Sequence, residues 1–288
     1  MLKSFLKTMR PPQWSKNVFI FTALVFDRKL THPSPLLHTI AGAAIFSLLA
    51  SAIYIINDIA DIEADRQHPK KRHRPITAGE LPLPAAWAGA LGLILVTLTG
   101  AYFLEPTFLF ICIIYMVLNL AYSKWIKHIP ILDVMVLASF YIIRVTVGVT
   151  LIDVKRFSPW LYVVATLFAL FIGFGKRRAE LALSDQKAQQ HRPVLDGYTI
   201  PLLNQLITII SGTTIIAYSL YTFSAPNLPP NNIMMLTIPF VLYGIFRYLY
   251  LIQIGEGGAP EEIAFTDRPL QIAILFWCIS IVSIFYIF

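Results

Sequence analysis

The sequence predicts an all-α fold: a polytopic integral membrane helix bundle with about nine transmembrane helices. Three observations lead to it. Of 288 residues, 57% are hydrophobic and 14% charged, against about 45–50% and about 25% in soluble chains. The mean hydropathy is +0.67. The apolar residues also come in long runs. A hydrocarbon core ~30 Å thick, at a rise of ~1.5 Å per residue, takes about 20 of them. A soluble single-core enzyme, a disordered chain, a coiled coil and a disulfide-stapled module are excluded. Cys112 and Cys278, the two cysteines, lie inside apolar runs without metal or redox spacing.

Nine runs qualify as spans, and together they read as one integral domain over residues 1–288. The first, 14–30, is the weakest, being short and containing Lys16 and Asn17 beside Trp14. The second, 36–57, runs directly into a series of acids. The third and fourth, 83–103 and 106–122, meet at Glu105-Pro106, which predicts a tight helical hairpin. The fifth, 130–151, carries Asp133 and Arg144. The sixth, 158–175, ends at Lys176, Arg177 and Arg178. The seventh is 200–223, the eighth, 232–252, carries Arg247, and the ninth, 269–287, follows Asp267 and Arg268.

Nine spans place alternate loops on opposite sides. Seventeen of the 23 cations fall on one side, among them Lys3, Lys7, Arg10, Arg66 and Lys70; Arg28, Lys29, Lys155 and Arg156 fall on the other. The positive-inside rule makes the first side cytoplasmic. The expected location is therefore the cell membrane, multi-pass, with the amino end and the polar loops inside and the carboxyl end outside. The net charge of +7 and pI of about 9.4 then reflect topology plus a site for an anion, and no nucleic acid is expected. The oligomeric state is left open.

The second span runs into Tyr54-Ile55-Ile56-Asn57-Asp58-Ile59-Ala60-Asp61-Ile62-Glu63-Ala64-Asp65. If the helix continues at ~100° per residue, Asp58, Asp61 and Asp65 fall within an arc of about 60°, with Asn57 at its edge and Glu63 pointing away. Three carboxylates on one face repel one another and are costly near a membrane. A divalent cation among them removes the repulsion. Mg²⁺ takes oxygen ligands, usually one or two carboxylates together with substrate phosphates. Lys71, Arg72 and Arg74 follow and offer direct contacts to the same anion, arginine by planar two-point bonding and lysine as a movable point charge. The alternative is a solvated helix end whose acids pair with the adjacent bases.

These residues resemble the first aspartate-rich motif of the UbiA superfamily of intramembrane prenyltransferases. The resemblance runs from Asn57 to Asp65 and on through Lys71-Arg72-His73-Arg74-Pro75-Ile76, and it covers essentially the whole chain. Typical members carry a second multi-aspartate motif. Here the stretch Tyr122–Asp133 has one acid and two lysines, Lys124 and Lys127. That departure, with Arg10–Asn17, Gly175–Leu181 and Arg192–Tyr198, resembles the decaprenyl-phosphate phosphoribosyltransferase branch.

The resemblance implies a reaction. Phosphoribosyl pyrophosphate is the donor, a polyprenyl phosphate in the bilayer is the acceptor, and Mg²⁺ is the cofactor. It also implies roles. Asp58, Asp61 and Asp65 hold Mg-pyrophosphate, with Asp58, Asp61 and Lys127 catalytic. Tyr122 and Lys127 meet a donor phosphate or the ribose. Lys176, Arg177 and Arg178 grip a phosphate.

Other polar residues are weighed on the sequence alone. Asp133 and Arg144 lie eleven positions apart on the fifth span, about 16 Å of helix, and charges within spans are functional by default. Tyr141 shares the side of Arg144. Lys16 and Asn17 either line the same mouth or anchor the interface beside Trp14. The Gly255–Gly258 loop reads as a flexible connection. Two rival functions stand: a conventional prenyltransferase passing a prenyl group from its diphosphate to an aromatic acceptor, and a non-catalytic carrier of a phosphorylated solute or lipid.

Overall fold

Proline in the first turn and apolar runs behind it set most of the helices. Proline lacks an N–H that the first turn does not use, and its fixed φ suits a helix start. The computed structural model describes residues 1–67, 71–154, 158–184, 193–226, 228–229, 231–254 and 260–287. In order these are α1 (Leu2–Thr8), a 3₁₀ helix (Pro11–Phe21), α2 (Thr22–Phe26), α3 (Pro33–Ala60), α4 (Ile62–Gln67), α5 (Leu83–Leu104) and α6 (Pro106–Lys124). Then come α7 (Leu132–Thr150), α8 (Pro159–Ser184), α9 (Ile200–Ser224), α10 (Ile238–Gln253), α11 (Pro260–Thr266) and α12 (Arg268–Tyr286). No strand occurs among the described residues. Proline opens α3, α5, α6, α9, α10 and α12. The Glu105, Thr199 and Asp267 side chains cap α6, α9 and α12 by accepting backbone N–H bonds.

Eight of the described helices are long and apolar enough to cross a membrane, and the protein is a multi-pass membrane bundle. The expected first span is the exception. Residues 14–30 do not form one α-helix; 3₁₀ geometry over Pro11–Phe21 continues into the five residues of α2. A 3₁₀ helix rises about 2.0 Å per residue, so the 16 residues still reach about 30 Å, the thickness of the hydrocarbon core. The sixth span is also longer than expected: α8 continues past residue 175 to Ser184, so Lys176, Arg177 and Arg178 are helical.

The chain divides into two compact units. The first comprises residues 1–24, 29–126 and 143–154; the second comprises 25–28, 127–142 and 155–288.

In the first unit α3 packs on α5, α6 and the 3₁₀ helix. The 3₁₀ helix meets α3 in register. Trp14 Nε1 donates to Ser51 Oγ at 3.0 Å, and Asn17 Nδ2 donates to Ser47 Oγ at 2.7 Å. Three residues of a 3₁₀ helix and four of an α-helix both advance about 6 Å. Trp14 and Asn17 therefore stand one above the other against α3, and Ile20 continues their line on the 3₁₀ helix. Lipid is as apolar as leucine, so close packing rather than hydrophobicity brings helices together. Gly148 shows how close: a Cβ there would stand 2.0 Å from the Ile20 carbonyl oxygen.

In the second unit α8 lies along α9, and α10 along α12. One core gathers Val134, Phe171, Leu203, Ile207, Tyr248 and Leu270. Another gathers Leu161, Tyr218, Tyr221, Met234, Ile281 and Phe285.

Candidate functional site

The acids at the end of α3 are reached through a local break. The α-helix stops at Ala60, Asp61 caps it, and α4 restarts at Ile62. The continuous helix expected through Asp65 is thus interrupted. The kink is mild, because the N–H groups of Asp61 and Asp65 still bond the carbonyls of Asn57 and Asp61 at 2.9 and 2.8 Å. Asp58 and Asp65 end up 2% and 1% exposed, Asp61 and Asn57 are half-buried, and Glu63 faces solvent.

The loop that follows is pinned from below. Ile76 and Leu81 insert into a core made by Met9, Ile55, Ala86 and Ala90, which brings Arg74 over the acids. A single nitrogen, Arg74 Nη1, donates to Asp58 Oδ1 at 3.0 Å and to Asp65 Oδ2 at 2.5 Å. Lys71 Nζ lies 4.0 Å from Asp65 Oδ1. From the amino-terminal arm, Arg10 donates to Asp58 Oδ1 and lies over the Tyr54 ring at 5.2 Å. Arg10 takes the left-handed conformation, φ 54°, where the chain turns from α1 into the 3₁₀ helix. Arg72 is exposed and reaches His73.

Two buried carboxylates meeting on one cationic nitrogen form donor chemistry that suits a hard divalent ion. Mg²⁺ needs one or two such groups and completes its shell with water and phosphate. The residues present therefore fit such an ion, and Asp58 and Asp65 are the side chains that could hold it. Among the described residues no group of three His, Cys, Asp or Glu gathers to hold a metal, so the expected trio with Asp61 is not assembled as a three-ligand cluster.

The other expected site residues divide between the two units. In the first, Lys16 and Tyr122 are half-buried, and Lys124 is exposed over the Trp125 ring at 4.9 Å. Arg144 is 4% exposed. It donates from Nε to Asn17 Oδ1 at 2.9 Å and from Nη2 to Tyr115 Oη at 3.2 Å, with its guanidinium over the Phe46 and Tyr115 rings. An arginine within a span thus finds neutral partners and ring faces. Asn17, like Arg144, is part of this internal network.

In the second unit Lys127 sits half-buried in the turn Ile126–His128, and Tyr141 and Lys176 are half-buried. The expected cationic grip of three consecutive residues is divided, because neighbours on a helix point ~100° apart. Arg177 is 1% exposed and donates to Asp133 Oδ2 and Glu180 Oε2, both at 2.6 Å. Arg178 turns to Asn204 Oδ1 at 2.6 Å and the Ile252 carbonyl at 3.1 Å. Asp133 is fully buried, and Tyr198 Oη donates to its other oxygen at 2.6 Å. Burial first, and then that bond to Asp133, push the Tyr198 hydroxyl above the ordinary tyrosine range. Lys70 and Arg192 of the sequence motifs, and the Gly255–Gly258 loop, lie outside the described residues.

Sequence reading left Arg10 and Tyr198 without a site role, although both lie in motifs it singled out. The signal for Arg10 was its place before two prolines, where the right-handed helix is disfavoured and α1 has to end.

Known proteins resemble the chain over its whole length. The family model described as the UbiA prenyltransferase family matches residues 17–267. Decaprenyl-phosphate phosphoribosyltransferase of Mycobacterium tuberculosis is 33% identical over 285 residues, 98% of this chain and 94% of that protein. The protein of the same description from Corynebacterium glutamicum is 33% identical over 296 residues, 98% of this chain and 86% of that one. Among solved structures, a UbiA homologue from Archaeoglobus fulgidus bound to DMAPP and Mg²⁺ superposes with a TM-score of 0.73 at 17% identity, covering 99% of this chain and all of that one.

Proposed function

Because the chain belongs to the UbiA prenyltransferase family and is a membrane transferase, we propose that it transfers 5-phosphoribosyl from phosphoribosyl pyrophosphate to a polyprenyl phosphate at the cytoplasmic face of the cell membrane. The observation that carries this reading is the meeting of Asp58 and Asp65 on Arg74, with Arg10 and Lys71 beside them. Acids for a metal and cations for phosphate alternate within one cluster. Relatives named decaprenyl-phosphate phosphoribosyltransferase, at 33% identity over nearly the full length, support it.

The chemistry needs little more than charge. An oxygen of the acceptor phosphate forms a bond to the anomeric carbon of the ribose. The bond from that carbon to the pyrophosphate oxygen breaks, and its electron pair leaves with pyrophosphate. The product is polyprenyl-phosphoryl-5-phosphoribose. The nucleophile is already ionised at neutral pH, so no strong general base is required. Mg²⁺, when bound by Asp58 and Asp65, would neutralise charge on the pyrophosphate. Arg74, Lys71 and Arg10 stand beside those acids as fixed cations; one such preorganised group is typically worth about 10²–10³ in rate. Lys127 would meet a donor phosphate.

The test is label transfer. The purified protein is incubated with Mg²⁺, labelled phosphoribosyl pyrophosphate and a polyprenyl phosphate, then extracted into organic solvent. Label in the lipid phase is expected. Transfer from a prenyl diphosphate to an aromatic acid instead would replace the reading with a conventional prenyltransferase. No chemistry with either donor leaves a carrier.

A further inference from the structure

We propose that Tyr198 is a positioning residue for the turn that carries Lys127. The inference rests on the reading above that Lys127 meets a donor phosphate.

The turn between α6 and α7 is strained at one residue. Ile131 has φ +70°, a genuine outlier for a β-branched side chain. The N–H of Leu132 bonds the Pro130 carbonyl at 2.8 Å. An i→i+2 bond across a residue of positive φ is the rare, strained form of the γ-turn. Such a conformation persists only where the surroundings over-determine it, and it clusters at functional sites.

The surroundings here are supplied by Tyr198. Its Oη accepts from the Ile131 N–H at 2.5 Å and donates to Asp133 Oδ1 at 2.6 Å. One hydroxyl thus ties together the residue at the strain and an acid in the first turn of α7. The phenol is fixed in turn, being 4% exposed in a core with Val134, Leu195 and Leu203. Asp133 cannot swing away either, because Arg177 Nε holds its second oxygen at 2.6 Å. Gly197 completes the fit. A Cβ there would stand 2.3 Å from Pro130 Cγ, so the two turns touch with no room for a side chain. Lys127 lies four residues before Ile131, beyond Pro130. The turn that carries Lys127 is held by α6 on one side, and the path of the chain at Ile131 fixes it on the other. All these residues belong to one unit.

The test is a set of variants assayed by label transfer to lipid. Tyr198→Phe removes the hydroxyl and keeps the ring. Gly197→Ala pushes the two turns apart without touching the hydroxyl. Each is expected to raise the KM for phosphoribosyl pyrophosphate about tenfold, since small misplacements at a binding group are costly, with kcat and the KM for polyprenyl phosphate unchanged. Combined with Lys127→Ala, which itself raises the donor KM, neither should add a further loss. A loss in kcat, equal changes in both KM values, or effects that add to those of Lys127→Ala would overturn the inference and leave Tyr198 a structural residue. A Lys127→Ala variant with an unchanged donor KM overturns it as well. Absence of label transfer by the wild-type protein is a different failure, that of the functional reading itself. Should Tyr198→Phe fail to fold, as melting would show, Gly197→Ala decides alone.

Discussion

Arg74 and Asp58 are joined at 3.0 Å across a gap of 16 residues. This bond connects the end of one membrane helix to the loop behind it, and the same guanidinium nitrogen holds Asp65. The pair explains how two carboxylates can stay buried side by side: they share a cation.

Removing one acid should stop the reaction without unfolding the protein. Asp58→Asn keeps the shape and loses the charge. Label transfer is expected to fall by about 10²–10³ or more, while melting of the detergent-solubilised protein shifts by only a few degrees. Near-normal turnover would defeat the assignment.

Removing the shared cation should create a demand for another. Arg74→Gln leaves Asp58 and Asp65 buried with Arg10 and Lys71 nearby. Breaking a fully buried pair costs about 3–5 kcal/mol. The Arg74 side chain is 25% exposed, and screening together with the remaining cations lowers this to about 1–2 kcal/mol. Millimolar Mg²⁺ should restore part of the lost melting temperature, and restore more than it adds to the wild-type protein. Equal Mg²⁺ shifts in both would show that the acids do not take the ion.

Arg144 and Asn17 make a prediction about stability alone. Asn17→Leu removes the acceptor of the buried Arg144 Nε, at a cost of about 1–3 kcal/mol. The double variant Asn17→Leu, Arg144→Leu removes both partners and should be less destabilised than the sum of the singles. Unfolding in detergent measures this. Strict additivity would show that the bond carries no coupling.

The α12 cap predicts an acid limb. The bond from Arg247, above all, holds the Asp267 carboxyl below its ordinary 3.8. A lowered value in the folded state means the unfolded chain takes up the proton first. The contribution is therefore present above about pH 3.8 and is lost as pH falls through the folded value. Asp267→Asn should lack this part of the acid destabilisation, as melting curves between neutral pH and pH 3 would show.

Much of this was legible from the chain. Eight spans follow from apolar runs and their bounding prolines, because a membrane helix must satisfy its own backbone and signals itself by length. The 3₁₀ course of the first run was not, since a short run that mixes Ser15, Lys16 and Asn17 with apolar residues shows no clear helical period. The one clue was the step of three from Trp14 to Asn17 to Ile20. The acid face was legible in part. Asp58 and Asp65 do converge, but the break at Asp61 depends on how the following loop is anchored by Ile76. The partners of Asp133 lay beyond reach, because Arg177 and Tyr198 are 44 and 65 residues away. The consecutive cations 176–178 looked like one patch in the sequence; helical geometry sends them to different neighbours.

The matched steps of the 3₁₀ helix and α3 act like two scales with a common division. One extra residue between Trp14 and Ile20 would turn everything beyond it by about 120° and carry it about 2 Å onward. No slide along the partner cancels both errors at once. This segment should therefore accept exchanges of side chain yet refuse any change in length, and the arm that delivers Arg10 to Asp58 inherits that intolerance.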